Sequence, residues 1–253
     1  MADTFVYRAD PPARLAASED LSALARMQQE AGLDVVTPGS PVTEDELRRS
    51  PHDAIARLSA ELGAVRSAVP APVKLALPLP GLLGLDPMLL QGLMGNLIDE
   101  GTRILQLHAA AYADPDRDPS DDGFVLSGLP RPEGFRLAVD LGALADWSAD
   151  RLAVVTAELG ADRHVLAIGP DDDLSRLSAL PGDSMAVLGL IDPAGGEETD
   201  AILTRIDAAA AVLDEDRLAL TVRGGLDGQA ADTQARVLRQ LADVAVRFWG
   251  FAM

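Results

Sequence analysis

The chain has 253 residues, a net charge of −19, 48% hydrophobic residues and no cysteine. So large an acidic excess argues against nucleic acid or an anionic membrane surface as partner. The lack of cysteine excludes disulfides, thiolate metal sites, iron–sulfur clusters and cysteine nucleophiles. The apolar fraction suffices for a buried core, and the longest apolar run, "VKLALPLPGLLGL", is broken by proline and glycine and too short to span a bilayer. The opening "MADTFVYRADPP" lacks a hydrophobic signal core, so a soluble cytoplasmic protein is expected.

In chain order, a short β-like run over Thr4–Ala9 comes first. "EDLSALARMQQEAG" then reads as a helix closing on Gly32, followed by a second run over Leu33–Thr37. "SPHDAIARLSAELG" offers Ser50 as N-cap, Pro51 at the first helical position and Gly63 as its stop. Further runs lie at Val73–Leu77, Arg103–His108, Arg136–Asp140, Val165–Gly169, Met185–Ile191 and Leu218–Arg223. Most are nearly all apolar, as strands buried on both faces should be. "DTQARVLRQLADVAVRF" closes the series with Leu238, Leu241, Ala242, Ala245 and Phe248 on one helical face. Eight such strands with helices between them predict an α/β fold, a (β/α)8 TIM barrel over 1–253 as a single domain. One unit is irregular: Ala109–Gly134, after the fourth strand, shows no clear helix, and its "DPDRDPSDDG" reads as a solvated acidic loop. Counted from Asp114, a calcium-binding EF-hand would need a glycine sixth and a glutamate twelfth, where Pro119 and Val125 stand.

Such barrels do chemistry at the C-terminal ends of their strands. Those ends carry Arg8 and Asp10, Thr37, Pro78, His108, Asp140, Asp171 to Asp173, Asp192 and Arg223. Of three histidines, His108 alone sits at a tip. It reads as a catalytic acid or base, with Asp140 one strand over to orient it; a rim histidine that is hydrogen-bonded without chemistry is the bland reading beside it. His52 and His164 read as surface residues. After the last two strands, "IDPAGGEETD" and "VRGGLDG" offer glycine N–H groups to an anion, so Gly224 and Gly225, with Arg8, Asp192 and Arg223, are the candidate substrate-binding residues. Glu197 and Glu198 would repel such an anion.

Several tips resemble the catalytic barrel of cobalamin-independent methionine synthase, in the superfamily that includes uroporphyrinogen decarboxylase. "QQEAGLDVVTPGS" resembles that family's Q-x-x-x-G-L-D-x-x-x-x-G-E, and "VKLALPLPGLL" its V-K-x-x-L-T-G-P-x-T. "ILQLHAAAY" stands where the family has I-Q-I-D-E-P-A-L, and "VLGLIDPAGGEETDAILTRIDAAAAVLDEDRLALTVRGGL" resembles its last two strands and the helix between them. The resemblance implies a zinc site built from a His-x-Cys pair, a Glu and a Cys, but these positions fall on Ala138 and Asp140, Gly169 and Gly224. The acids implied for amino-acid binding fall on Ser40, after Gly39, and on His108-Ala109. With every zinc-ligand position substituted, neither metal nor other cofactor is expected; the least favoured alternative is a divalent ion, harder than zinc, held by His108 and Asp140 with an acid from Asp171 to Asp173. The function expected is metal-free acid–base chemistry (lyase, decarboxylase, or alkyl or one-carbon transfer) on a small anionic substrate. The alternative is a non-catalytic small-molecule-binding or scaffold homologue. The terminal "RFWGFAM" leaves a homodimer contact open.

Overall fold

The structure is a computed structural model describing residues 7–16, 18, 20–79 and 81–250. Six strands, β1 (Lys74–Pro78), β2 (Ile104–His108), β3 (Arg136–Ala143), β4 (Arg163–Ala167), β5 (Met185–Ile191) and β6 (Leu218–Val222), form one sheet in chain order. Every neighbouring pair is parallel, as the continuous apolar runs require. Around the sheet lie α1 (Leu21–Glu30), α2 (Glu44–Arg49), α3 (Pro51–Ala68), α4 (Pro87–Asp99), α5 (Ser120–Ser127), α6 (Ala149–Leu159), α7 (Thr199–Ala210) and α8 (Ala231–Trp249). Leu75, Leu105, Leu137, Leu166, Leu188 and Leu220 face outward into the main core beneath the helices. The alternate residues face the barrel interior, where Tyr7, Val35, Ile104 and Ala138 pack together. No helix among the described residues is long and apolar enough to cross a membrane.

The first two expected strands shrink to single bridges. Thr4 to Val6 lie outside the described residues, and Ala9 pairs in parallel with Leu220 on β6. In the second run only Val36 pairs, with Val73. Thr37 cannot extend the ladder because the Gln28 side chain from α1 takes both its backbone groups, accepting from its N–H at 2.9 Å and donating to its carbonyl at 2.8 Å.

Three further expectations change. Gly63 does not stop its helix: α3 runs on to Ala68 because Leu62 and Val65 keep its apolar face buried. The stretch after the fourth run is not structureless. It holds a 3₁₀ turn at Ala110–Ala113 and then α5. Its acidity is partly structural, since Asp122 is fully buried, accepting from the Tyr112 hydroxyl and the Gly81 N–H, each at 2.6 Å.

Nor is His164 on the surface. It lies on the outward face of β4 with Leu166, 0% exposed, and neither ring nitrogen has a partner among the described residues. Burial, with the nearby Arg217 charge, pushes its pKa down from 6.5 to about 4. Between those values the unfolded chain binds a proton that the folded chain does not, so stability falls as pH falls through this window. At roughly 1.36 kcal/mol per pH unit the loss approaches about 3 kcal/mol. Denaturant unfolding of the wild type and of His164→Leu at pH 7 and at pH 4.5 should show the wild type losing the larger amount, by about that difference; parallel losses would refute it.

Candidate functional site

A cavity of about 420 Å³ opens at the C-terminal ends of the strands. The parallel register sets His108 beside Asp140 and Gln106 beside Ala138. Because β2 alternates, Ile104, Gln106 and His108 share the interior face. A register irregularity between Asp140 and Ala143 then bends β3 at its tip. Gly142 permits it with φ +70, a value that side chains rarely adopt. The bend turns the Gly142 N–H back onto Asp140 Oδ1 at 3.0 Å.

The other carboxylate oxygen, Oδ2, takes Gln106 Nε2 and His108 Nδ1, each at 3.2 Å. A carboxylate only accepts, so Nδ1 carries the proton and Nε2 is left as the nitrogen available to a ligand. The pair is neither sealed nor fully wet, with side chains 31% and 28% exposed. Burial works to raise the Asp140 pKa, but the His108 hydrogen bond and charge, the Gly142 N–H and the Lys74 charge outweigh it, so the group is held below its ordinary value.

His108, Asp140, Gly224 and Gly225 all line the cavity; Arg8, Asp192 and Arg223 do not. Arg8 turns away from the mouth to the start of β6, where it pairs with Asp216 at 3.1 Å, donates to the Glu215 and Leu218 carbonyls and lies over the Trp249 ring at 5.1 Å. Those contacts sit at the N-terminal end of the strand, so the structure does not bring Arg8 to the cavity with the other expected site residues. Arg223 is engaged at the rim by Glu197 at 3.3 Å and Asp192 at 3.7 Å. Asp192 also closes its own loop by accepting from the Ala194 N–H at 2.8 Å. The glutamate expected to repel an anion instead neutralises the arginine expected to bind one.

The cation that does line the cavity is Arg14, in the loop after the first expected strand. Its side chain is 49% exposed and its carboxylate partner, Asp227, stands 4.0 Å away. Its Nη2 donates to the Gly224 carbonyl. Gly225, at φ +119, is needed there, since a Cβ on it would meet the Arg14 Cβ at 3.0 Å. Gln106 and Thr221 were also not foreseen. Both line the cavity, and Gln106 Oε1 and Thr221 Oγ1 are buried without a partner among the described residues.

No family model matches the sequence, and no curated protein matches it. Solved structures do match over nearly the whole chain. A provisionally assigned vitamin-B12-independent methionine synthase from Listeria monocytogenes is 18% identical, with a TM-score of 0.75 over 97% of this chain and 98% of that one. A B12-independent methionine synthase from Shewanella sp. W3-18-1, solved with selenomethionine, is 14% identical, with a TM-score of 0.72 over 95% and 97%. The α-subunit of tryptophan synthase from Pyrococcus furiosus, a mutant form, is 10% identical, with a TM-score of 0.54 over 98% and 100%. The fold is a TIM barrel. Identities this low establish the shared fold and leave the chemistry to be argued from the cavity.

Proposed function

We propose that the chain is a metal-free acid–base enzyme acting on a small carboxylate at the barrel mouth, with His108 moving the proton. The observation that carries this reading is the Nδ1–Oδ2 contact of His108 and Asp140 at the edge of a 420 Å³ cavity. A base needs a free lone pair, a fixed ring and access to substrate. Here Asp140 fixes the ring, itself held by Gln106 and Gly142, and Nε2 is the free nitrogen. Arg14 is placed to take the substrate carboxylate, and Pro12, Pro41, Val42, Val165 and Val222 supply apolar walls for its carbon skeleton. As a base, Nε2 would take the C–H proton beside the carboxylate while the electron pair expels a group from the next carbon, and the protonated ring would return that proton to the leaving group, as in a lyase. As an acid, the protonated ring would give its proton to the carbanion left when CO₂ departs, as in a decarboxylase.

The donor set does not fit the zinc of the methionine-synthase barrels. Zinc prefers nitrogen and sulfur, the chain has no cysteine, and the positions that the resemblance assigns to the zinc ligands hold Ala138, Asp140, Gly169 and Gly224. Only Asp140 among them carries a side-chain ligand atom, and both of its oxygens accept hydrogen bonds from the protein.

A panel of small mono- and dicarboxylates, screened by thermal shift and then by ¹H NMR in D₂O, tests the reading. A ligand that stabilises the protein should exchange a C–H proton with solvent in the wild type and not in His108→Ala. Tight binding with no exchange and no turnover would favour the non-catalytic ligand-binding homologue. Loss of one charge-assisted contact in Arg14→Gln should weaken binding of the same ligand by about tenfold. Unchanged affinity by titration calorimetry would remove Arg14 from the site.

A further inference from the structure

Gln106 and Thr221 each bring a polar atom into the barrel that the protein leaves unpaired. The two residues are 2% and 3% exposed, and both line the cavity. Counting the two bridged segments as strands, β2 is the fourth of eight and β6 the eighth. They stand half a turn apart around the barrel, so the two side chains occupy opposite walls of one cavity.

The Gln106 amide has one possible orientation. Asp140 Oδ2 also accepts from His108 Nδ1, and a carboxylate only accepts, so the amide presents Nε2 to it and Oε1 is turned elsewhere. No donor reaches Oε1 among the described residues, and Thr221 Oγ1 has neither donor nor acceptor there. The buried cations beneath are engaged with other groups. Lys74, the only lysine in the chain and 1% exposed, donates to Asp10 Oδ1 and to the Pro11 carbonyl. Arg163, 3% exposed, donates from Nη2 to Asp10 Oδ2 and to the Tyr7 carbonyl, each at 3.0 Å. Beside Thr221, the cavity wall continues in register through Gly189 and Ala167, neither of which has a polar side chain to offer. Interiors seldom leave buried polar atoms unmatched, because each costs the hydrogen bond it had in water.

We propose that Gln106 and Thr221 form a hydroxyl subsite, so that the ligand is a small hydroxy-carboxylate. Its hydroxyl or hydroxyls donate to Gln106 Oε1 and accept from Thr221, and a change of rotamer on binding presents the two atoms to it. An ammonium only donates, and would leave the Thr221 proton without an acceptor. The carboxylate end, taken by Arg14, rests on the acid–base reading; the hydroxyl end rests on Gln106 and Thr221 alone.

Thr221→Val tests the subsite first without any ligand. It replaces an unpaired buried hydroxyl by a methyl group of the same outline, so its urea midpoint should rise. A lower midpoint would mean that the hydroxyl has a partner in the protein, and overturns the subsite. Titration calorimetry then compares propionate, lactate, 3-hydroxypropionate, glycerate, alanine and glycerol. The wild type should bind the best hydroxy acid about tenfold to a hundredfold more tightly than propionate. Thr221→Val and Gln106→Met should each lose about tenfold of that advantage. The ratio is read within each protein, so any disturbance of Asp140 in Gln106→Met cancels. Equal affinity for hydroxy acid and propionate, or a preference for alanine, overturns the subsite, as does binding of neither carboxylates nor glycerol. A hydroxy acid preferred by the wild type but showing no C–H exchange in D₂O keeps the subsite and removes the acid–base reading. Glycerol bound by the wild type and lost in Thr221→Val, with no carboxylate bound, keeps the subsite and removes the carboxylate from Arg14.

Discussion

His108→Ala should lower turnover by ~10²–10⁴-fold, the range that a positioned general base supplies, and should barely change stability. The side chain is partly exposed and makes one hydrogen bond, to Asp140, which keeps Gln106 and Gly142 as partners when the ring is gone. Arg14 and the apolar walls are untouched, so the loss should fall on kcat with KM nearly constant. Steady-state kinetics on the carboxylate that shows exchange, with denaturant unfolding of both proteins, separates the two effects. Turnover equal to wild type would take His108 out of the chemistry.

Asp10→Ala should be the most damaging single change to the fold. It leaves Lys74 and Arg163 buried together without the carboxylate between them, and breaking a buried pair from one side costs about 3–5 kcal/mol. Arg247 and Asp200 supply the contrast, 3.6 Å apart with side chains 57% and 89% exposed. Removing Asp200 should cost under about 0.5 kcal/mol, because water and salt screen such a pair. Equilibrium unfolding in urea checks both. A loss below about 1 kcal/mol for Asp10→Ala would mean that the two cations find water or another partner.

Much of the barrel was legible because its strands are buried on both faces and therefore read as apolar runs. Met185–Ile191 has the same bounds in sequence and structure, and His108 and Asp140 meet because adjacent parallel strands bring their tips side by side. What failed has local causes. Thr37 looks like a strand residue, but the competing partner is the side chain of Gln28, which no periodicity reveals. Arg8 occupies a tip position, yet a long arginine reaches several ångströms along the strand, and it reaches downward. Arg14 sits in the proline-rich "ADPPAR", where the pattern signals only a loop; a cation in the first strand-to-helix loop of a barrel was the available clue. Asp122 was read as solvated because its neighbours are acidic, and only the approach of Tyr112 and Gly81 buries it.

Lys74 gives the surface an unusual chemical property. With that one side chain enclosed, the folded chain offers no lysine amine to acylating reagents, bifunctional cross-linkers or enzymes that transfer acetyl or ubiquitin groups to lysine. Covalent capture at Lys74 requires the barrel to open, so amine reactivity at this residue counts opened molecules in a native population.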